Sequence, residues 1–155
     1  MSIATRDRAP APPALREQTT RRPVLLASID IGYDEEAVEA ALAAALEANS
    51  ELLVCLGVTL PVANANAAAR RHMGDPVVRE QIAEILRTAR RAGATARPVL
   101  YNTPRPIAAL IEIADTHALG LLVFGPDRRS YGRLRFRWHL RRIKRNAPCL
   151  VLPLE

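Results

Sequence analysis

An acid and a glycine at the ends of two apolar segments are the residues whose positions best suit binding chemistry. Asp30 ends the segment "VLLASID", and Gly125 ends the segment "LGLLVFG". A glycine between a buried strand and a helix commonly lets backbone N–H groups approach a phosphate. Here the residues that follow are bulky and basic, beginning with Arg128 and Arg129. The segment therefore has three explanations, namely an altered nucleotide crevice, a surface for a polyanion, or a solvated basic helix.

Other residue types that carry out chemistry show no catalytic or metal-binding pattern. Cys55 and Cys149 each lie alone in an apolar segment, which indicates two buried thiols rather than a disulfide. The histidines are widely separated in the sequence, so no metal site is expected. No nucleophile–base pair or carboxylate pair is evident, and we therefore expect a binding protein and not an enzyme.

Positive charge is concentrated in one segment of the chain. The net charge is +6, yet residues 128–145 carry eight arginines, one lysine and no acid, whereas residues 24–127 carry a net −5. Such a segment suits a nucleic acid or an acidic protein as partner, or the acidic body of a second subunit. No apolar run reaches the roughly eighteen residues of a membrane span, and the N-terminus lacks the apolar core of a signal peptide. We expect a cytoplasmic protein with no membrane partner.

Apolar strands alternate with amphipathic helices after a polar start. Residues 1–22 are rich in proline and charge and are predicted to be a disordered leader, followed by one α/β domain over 23–155. We predict five strands, within 24–30, 51–58, 94–102, 119–125 and 149–154. The third contains a proline and suits a sheet edge. Helices are predicted to begin behind Asp34, Asp75 and Thr103-Pro104. This alternation predicts a parallel sheet covered by helices on both faces.

A further helix is predicted over 134–146, and its two faces differ in character. Phe136, Leu140 and Ile143 share the face that packs on the sheet. The same register places Trp138 outward among arginines, a setting suited to stacking and cation–π contacts with a nucleic acid or a protein. We predict a partner-binding surface on this helix, formed by Arg133, Arg137, Trp138, Arg141, Arg142 and Arg145.

Three segments in this order resemble the universal stress protein family: the strand that ends in Asp30, the strand "LLVFG" that ends in Gly125, and the closing "NAPCLVLPL". The resemblance covers about residues 23–154. It implies a Rossmann-like, doubly wound parallel sheet of five strands in the order 3-2-1-4-5, and a role in the stress response. It also implies a homodimer formed through the last strands, with Cys149, Leu150, Val151 and Leu152 as the pairing residues.

The phosphate-binding motif of the family's nucleotide-binding members is altered in this chain. That motif is a glycine, two residues, a second glycine, nine residues, and then a glycine with serine or threonine. Gly125 matches the first glycine, but Arg128 occupies the second position, and the closing pair falls at Arg137-Trp138 or at Trp138-His139. Glycines let the backbone adopt a positive φ and approach an anion, which arginine and tryptophan hinder. The resemblance thus indicates a divergent member without the intact ATP-binding motif.

Two hypotheses follow for the crevice beside Asp30, the acid that contacts the nucleoside in binding members of the family. In the first, the crevice is vestigial and no cofactor is bound. In the second, Arg128 and Arg129 hold the phosphates of ATP or AMP beside Asp30 and Gly125 through their guanidinium groups, which need no special backbone angles. The family's usual Asp-Gly-Ser is Asp30-Ile31-Gly32 here, a further departure from the binding pattern.

Overall fold

Five strands form the centre of the structure, a computed structural model in which residues 21–60, 75–152 and 154 are described. The strands are β1 (Val24–Ile29), β2 (Leu52–Thr59), β3 (Ala96–Thr103), β4 (Leu121–Phe124) and β5 (Leu150–Leu152). All neighbouring strands are parallel, in the order β3-β2-β1-β4-β5. The predicted strand order is confirmed. The predicted leader over 1–22 lies outside the described residues, apart from Arg21 and Arg22.

Helices cover both faces of this sheet, as predicted. The described helices are α1 (Glu35–Ala48), α2 (Pro76–Arg91), α3 (Pro106–Thr116), the single turn α4 (Arg128–Tyr131) and α5 (Arg133–Asn146). Apolar residues of α1 and α2 pack on one face, and those of α3, α4 and α5 pack on the other. The doubly wound α/β architecture is therefore confirmed.

Burial of both faces explains why the central strands are almost wholly apolar. All six residues of β1 are buried, and they alternate between the two cores: Leu26 faces α1 and α2, whereas Leu25 faces α3 and α5. Such two-sided burial is typical of parallel sheets. The polar exception in β1, Ser28, is satisfied because its hydroxyl donates to the carbonyl of Ile31 at 2.7 Å. Ser28 thereby fixes the turn that follows β1.

Helix α1 approaches the sheet through small side chains. Asp34 caps the helix by accepting a hydrogen bond from the backbone N–H of Ala37. Ala37, Ala41 and Ala45 are fully buried, and their spacing of four residues makes one row along the helix. Leu46 lies beside this row of alanines and is 40% exposed.

Helix α3 begins later than predicted. Thr103 does not start the helix but ends β3, where it pairs with Thr59 of β2. Its hydroxyl oxygen accepts a hydrogen bond from the N–H of Arg105, and its carbonyl accepts one from Leu60. The helix then starts at Pro106, where proline costs no helical hydrogen bond. Pairing between β3 and β2 therefore keeps Thr103 in the strand, and the helix does not begin at Pro104, the first proline of this segment.

Candidate functional site

The carboxyl ends of β1 and β4 lie side by side, where the strand order reverses. Ala27 of β1 pairs with Phe124 of β4, and the N–H of Gly125 donates to the carbonyl of Ala27 at 2.8 Å. This is the place where doubly wound sheets commonly bind ligands. The structure therefore brings Asp30 and Gly125, the two residues singled out by the sequence, to the ends of adjacent strands.

Asp30 is held in an uncommon backbone conformation and its carboxylate is fully engaged. Its φ is 66°, in the left-handed region that aspartate tolerates better than most residues. One carboxylate oxygen accepts the N–H of Thr59 at 2.6 Å, and the other accepts the Thr59 hydroxyl at 2.8 Å. The second oxygen also pairs with Nη2 of Arg135 at 3.4 Å. A single side chain thus joins the ends of β1 and β2 to helix α5.

Arg135 also packs on an aromatic group beneath α5. Its guanidinium lies 4.3 Å from the ring centroid of Tyr131, within cation–π distance. The Tyr131 hydroxyl is hydrogen-bonded to Nδ1 of His139, and the ring of Phe124 contacts both rings edge-on. Burial raises the pKa of Tyr131 to about 12, and burial together with the charges of Arg135 and Arg142 lowers the pKa of His139. These effects favour the neutral form of the histidine.

The loops that follow β1 and β4 are hydrogen-bonded directly to each other. The N–H of Asp34 donates to the carbonyl of Gly125 at 3.0 Å, and the N–H of Asp127 donates to the carbonyl of Gly32 at 2.9 Å. Between these two bonds, Tyr33 and Pro126 form an antiparallel bridge. Backbone N–H groups that hold an anion must be free of protein acceptors. The N–H groups of Asp34 and Asp127 are not free.

An acid of the chain itself occupies the start of the turn α4. Asp127 caps α4, accepting the N–H of Arg129 at 3.2 Å and the hydroxyl of Ser130 at 3.3 Å. A carboxylate in this position takes the donors that a phosphate would otherwise use and adds a repulsive negative charge. The sequence "GPDRRSY" carries this capping signal in the aspartate that directly precedes the two arginines.

Gly125 has a packing requirement of its own, independent of any ligand. A Cβ at this position would collide with the Cβ of Ala37 in α1 and come within 3.4 Å of Leu26. The glycine therefore lets α1 lie close to the end of β4. Its φ is not in the positive region that only glycine adopts readily, since the positive-φ glycines of the described chain are Gly93 and Gly132.

Neither of the two arginines predicted to clamp phosphate pairs with Asp30. Nη2 of Arg128 pairs with Glu36 at 3.1 Å and with Asp34 at 3.7 Å, both in the region where α1 begins. The guanidinium of Arg129 makes no ion pair with any described residue, and only its backbone N–H is engaged, by Asp127. Instead of Arg128, the structure joins Arg135 to Asp30. The charge pattern alone did not identify this partner, because Arg135 is only one of several arginines on α5.

The outward side of α5 presents an uninterrupted positive surface, which we call the basic face: Arg133, Leu134, Arg137, Trp138, Arg141 and Arg145. These side chains are exposed, and they line a groove with Arg128, Arg129 and Lys144 at its margins. Trp138 is 78% exposed and Leu134 is 73% exposed, whereas the predicted core residues of α5 are buried. Arg142 lies on the flank toward His139, whose pKa it helps to lower. The predicted outward orientation of Trp138 is what the structure has.

The residues predicted to pair two subunits lie at a sheet edge. Leu150, Val151 and Leu152 form β5, which pairs with β4 on one side, and Leu150 is 75% exposed. Cys149 precedes the strand and is only partly buried, which corrects the expectation of a buried thiol. Cys149 lies in the short segment that joins α5 to β5. This segment packs against the core on the α3 and α5 side of the sheet, and Cys149 is therefore partly open to solvent.

Within the described residues, no set of histidine, cysteine, aspartate and glutamate side chains is arranged to hold a metal ion. Cys55 and Cys149 are free thiols, and burial raises the pKa of Cys55 to about 12. None of the described helices is long and apolar enough to cross a membrane.

Comparison with solved structures identifies the class of protein to which this fold corresponds. Universal stress protein UspA from Lactobacillus plantarum is similar with a TM-score of 0.68 and 14% identity, over 87% of this chain and 99% of that one. A universal stress protein from Archaeoglobus fulgidus in complex with dAMP has a TM-score of 0.61 and 15% identity, over 85% and 96% of the two chains. A universal stress protein family protein from Arabidopsis thaliana with AMP bound has a TM-score of 0.55 and 13% identity, over 85% and 90%.

These similarities define an α/β protein with the fold of the universal stress proteins. The likeness extends over most of this chain and nearly all of each neighbour. No protein-family model matches the sequence, and no curated protein sequence matches it either. At identities this low, the comparison concerns the fold, and the ligands of the neighbours belong to those proteins.

Substitutions of Asp30 should separate the contribution of its carboxylate from that of its backbone conformation. We expect Asp30→Ala to lower the free energy of unfolding by about 2 kcal/mol, through loss of the Thr59 hydrogen bonds and the cost of a positive φ. Asp30→Gly loses the same bonds but adopts this φ freely, so it should be about 1 kcal/mol more stable than the alanine variant. Urea denaturation measures both values. Equal stability of the two variants would show that the left-handed conformation carries no cost.

The neutral state of His139 should make stability depend on pH. Because its pKa in the folded protein lies below the ordinary value of 6.5, the unfolded chain takes up a proton first as pH falls. The free energy of unfolding should therefore be constant between about pH 7 and pH 8 and decrease as pH falls below about 6.5. His139→Gln should remove this decrease, and His117→Gln serves as the matched control that retains it. A wild-type stability that stays flat from about pH 7.5 down to about pH 5, or a His139→Gln variant with an unchanged decrease, would contradict this arrangement.

Proposed function

We propose that this protein is a non-catalytic regulatory protein of the universal stress protein type, cytoplasmic and homodimeric, that does not bind ATP in the manner of nucleotide-binding relatives. The observation that carries the proposal is the state of the crevice. The Asp30 carboxylate is taken by Thr59 and Arg135, and the N–H groups of Asp34 and Asp127 are taken by carbonyls of the opposite loop. A nucleotide that used these groups would first have to displace their present contacts.

The ionisation of potential nucleophiles supports a binding role. The Cys55 thiol is buried and the Tyr131 hydroxyl is hydrogen-bonded to His139, and the pKa of each is raised to about 12. Nucleophiles used in catalysis have lowered pKa values or an adjacent base that accepts their proton. His139 is adjacent to Tyr131, but burial and two neighbouring arginines disfavour the protonated histidine that such a transfer would create.

The homodimer is supported by the free edge of the sheet. β5 pairs with β4 only on one side, and it has just three residues. An exposed strand edge readily pairs with a second chain. Leu150, exposed on this edge, would be covered by such a contact. At the opposite edge, β3 contains Pro98, which cannot donate a hydrogen bond to another strand.

The alternative function is nucleotide sensing, with ATP or AMP as ligand. Its support is that two of the structural neighbours hold AMP or dAMP. In this chain, phosphates would have to be held by arginine side chains, and Arg128 would have to leave Glu36 and Asp34. Arg129 has no such partner among the described residues and is the better placed of the two.

Native mass spectrometry of the purified protein tests the proposed function and its alternative together. We expect a species of twice the chain mass with no bound nucleotide. The proposal requires that the subunits pair without a ligand and that protein groups, rather than a nucleotide, contact Asp30. Leu150→Asp should convert this species to monomer, because the two-fold axis of a dimer brings the introduced charges together at the strand edge. Leu134→Asp is the matched control: this leucine is similarly exposed, on α5, and the variant should remain dimeric.

A monomeric wild-type protein, or a Leu150→Asp variant that stays dimeric, would contradict pairing through β5. A mass increment of ATP or AMP on each chain would favour the sensing alternative, and would do so whatever the subunit number.

A further inference from the structure

We propose that the basic face of α5 binds single-stranded nucleic acid, with the arginines contacting phosphates and Trp138 stacking on a base. This inference concerns a surface separate from the crevice, and it does not require the crevice to be closed. It rests on the arrangement of charge on α5, on the exposure of Trp138, and on the poor fit of other partners to the same surface.

The charges of the basic face are neither used nor balanced by the described part of the protein. Arg133, Arg137, Arg141 and Arg145 make no side-chain hydrogen bond or ion pair with described residues, and 128–146 contains no acid. By contrast, Arg128 and Arg135 on either side of this face do find carboxylates. The four arginines recur every fourth residue, which separates them by about 6 Å along the helix. A row of planar guanidiniums at that spacing suits the successive phosphates of a nucleic acid strand.

Trp138 supplies a contact that charge alone does not. Its side chain is 78% exposed, although the same helix buries Phe136, Leu140 and Ile143 against the sheet. The indole is therefore not needed by the core. On the helix surface it lies one turn from Arg141 and Arg142, which can hold the backbone of a strand whose base stacks on the ring. Such combinations of aromatic rings and cations are how proteins bind single strands without sequence preference.

Other partners fit this surface less well. A second copy of the chain would bring two basic faces together with like charge opposed, so self-association here is disfavoured. An acidic protein would need an apolar centre to the interface, whereas this face offers only Leu134 and Trp138. A membrane surface would need an apolar helix face, and that of α5 is buried in the core. In duplex DNA the bases are already stacked on one another, so Trp138 favours a single strand.

The test uses the full chain and its intrinsic fluorescence, because Trp138 is the only tryptophan in the sequence. A thymidine oligonucleotide is titrated into the protein, and a duplex of the same length and poly-glutamate are titrated in parallel. We expect saturable quenching of the emission by the single strand, and weaker binding of the other two polyanions. Raising the salt concentration from about 50 to about 200 mM should weaken binding steeply, as counterions compete for the phosphates.

Variants then separate stacking from charge, with binding followed by the anisotropy of a labelled oligonucleotide. Trp138→Ala should weaken binding about tenfold, and Trp138→Phe should recover most of the loss because it retains a ring. The triple variant Arg137→Ala, Arg141→Ala, Arg145→Ala should reduce the steepness of the log–log salt dependence by about 2. The matched control, Arg79→Ala, Arg91→Ala, Arg105→Ala, removes the same charge from exposed positions outside α5 and should bind as the wild type does.

The proposal is overturned if the oligonucleotide neither binds nor quenches Trp138 at the lower salt concentration. It is equally overturned if poly-glutamate binds more tightly than the single strand, which would make an acidic protein the partner. Equal affinity of Trp138→Ala and wild type, or equal loss in the two triple variants, would show that binding is non-specific attraction to a basic protein.

Discussion

The contact between Asp30 and Arg135 is the interaction on which this account of the protein depends. Asp30 ends the central strand in a left-handed conformation, and its carboxylate links Thr59 at the end of β2 to Arg135 on α5. In a doubly wound sheet this is the position where a ligand is expected. Here the acid is used inside the protein, and the neighbouring loops are hydrogen-bonded to each other rather than left open. The Asp30 carboxylate and the N–H groups of Asp34 and Asp127 thus have partners within the chain.

Two groups of positive side chains therefore serve different purposes. Arg128 and Arg135 face the acidic body of the domain and fasten α4 and α5 to the loops below them. The arginines of the basic face point away from that body and remain unpaired within the described structure. The net charge of residues 128–145 does not distinguish the paired arginines from the unpaired ones, because the two groups are interspersed in this short segment. The fold separates them by placing one side of α5 against the sheet and the other toward solvent.

The sequence predicted those features that depend on local pattern. Apolar runs of strand length, capping residues such as Asp34, and the spacing of Phe136, Leu140 and Ile143 are local, and they predicted a parallel sheet covered by helices and the exposure of Trp138. The resemblance to the universal stress proteins supplied the order 3-2-1-4-5 directly. Contacts between distant side chains were not predictable in this way. Asp30 and Arg135 are separated by 105 positions, and their meeting depends on how the turn α4, capped by Asp127, sets the rotation of α5. The late start of α3 has a similar cause, since pairing with β2 keeps Thr103 in its strand.

A crystal structure of the protein grown in excess ATP would show directly whether the crevice between β1 and β4 accepts a nucleotide. We expect that Arg135 remains paired with Asp30, that the bonds from Asp34 to Gly125 and from Asp127 to Gly32 persist, and that no nucleotide lies between β1 and β4. Density for a nucleotide in that crevice, with its phosphates held by the N–H groups after Gly125 and with Arg135 displaced from Asp30, would contradict this expectation.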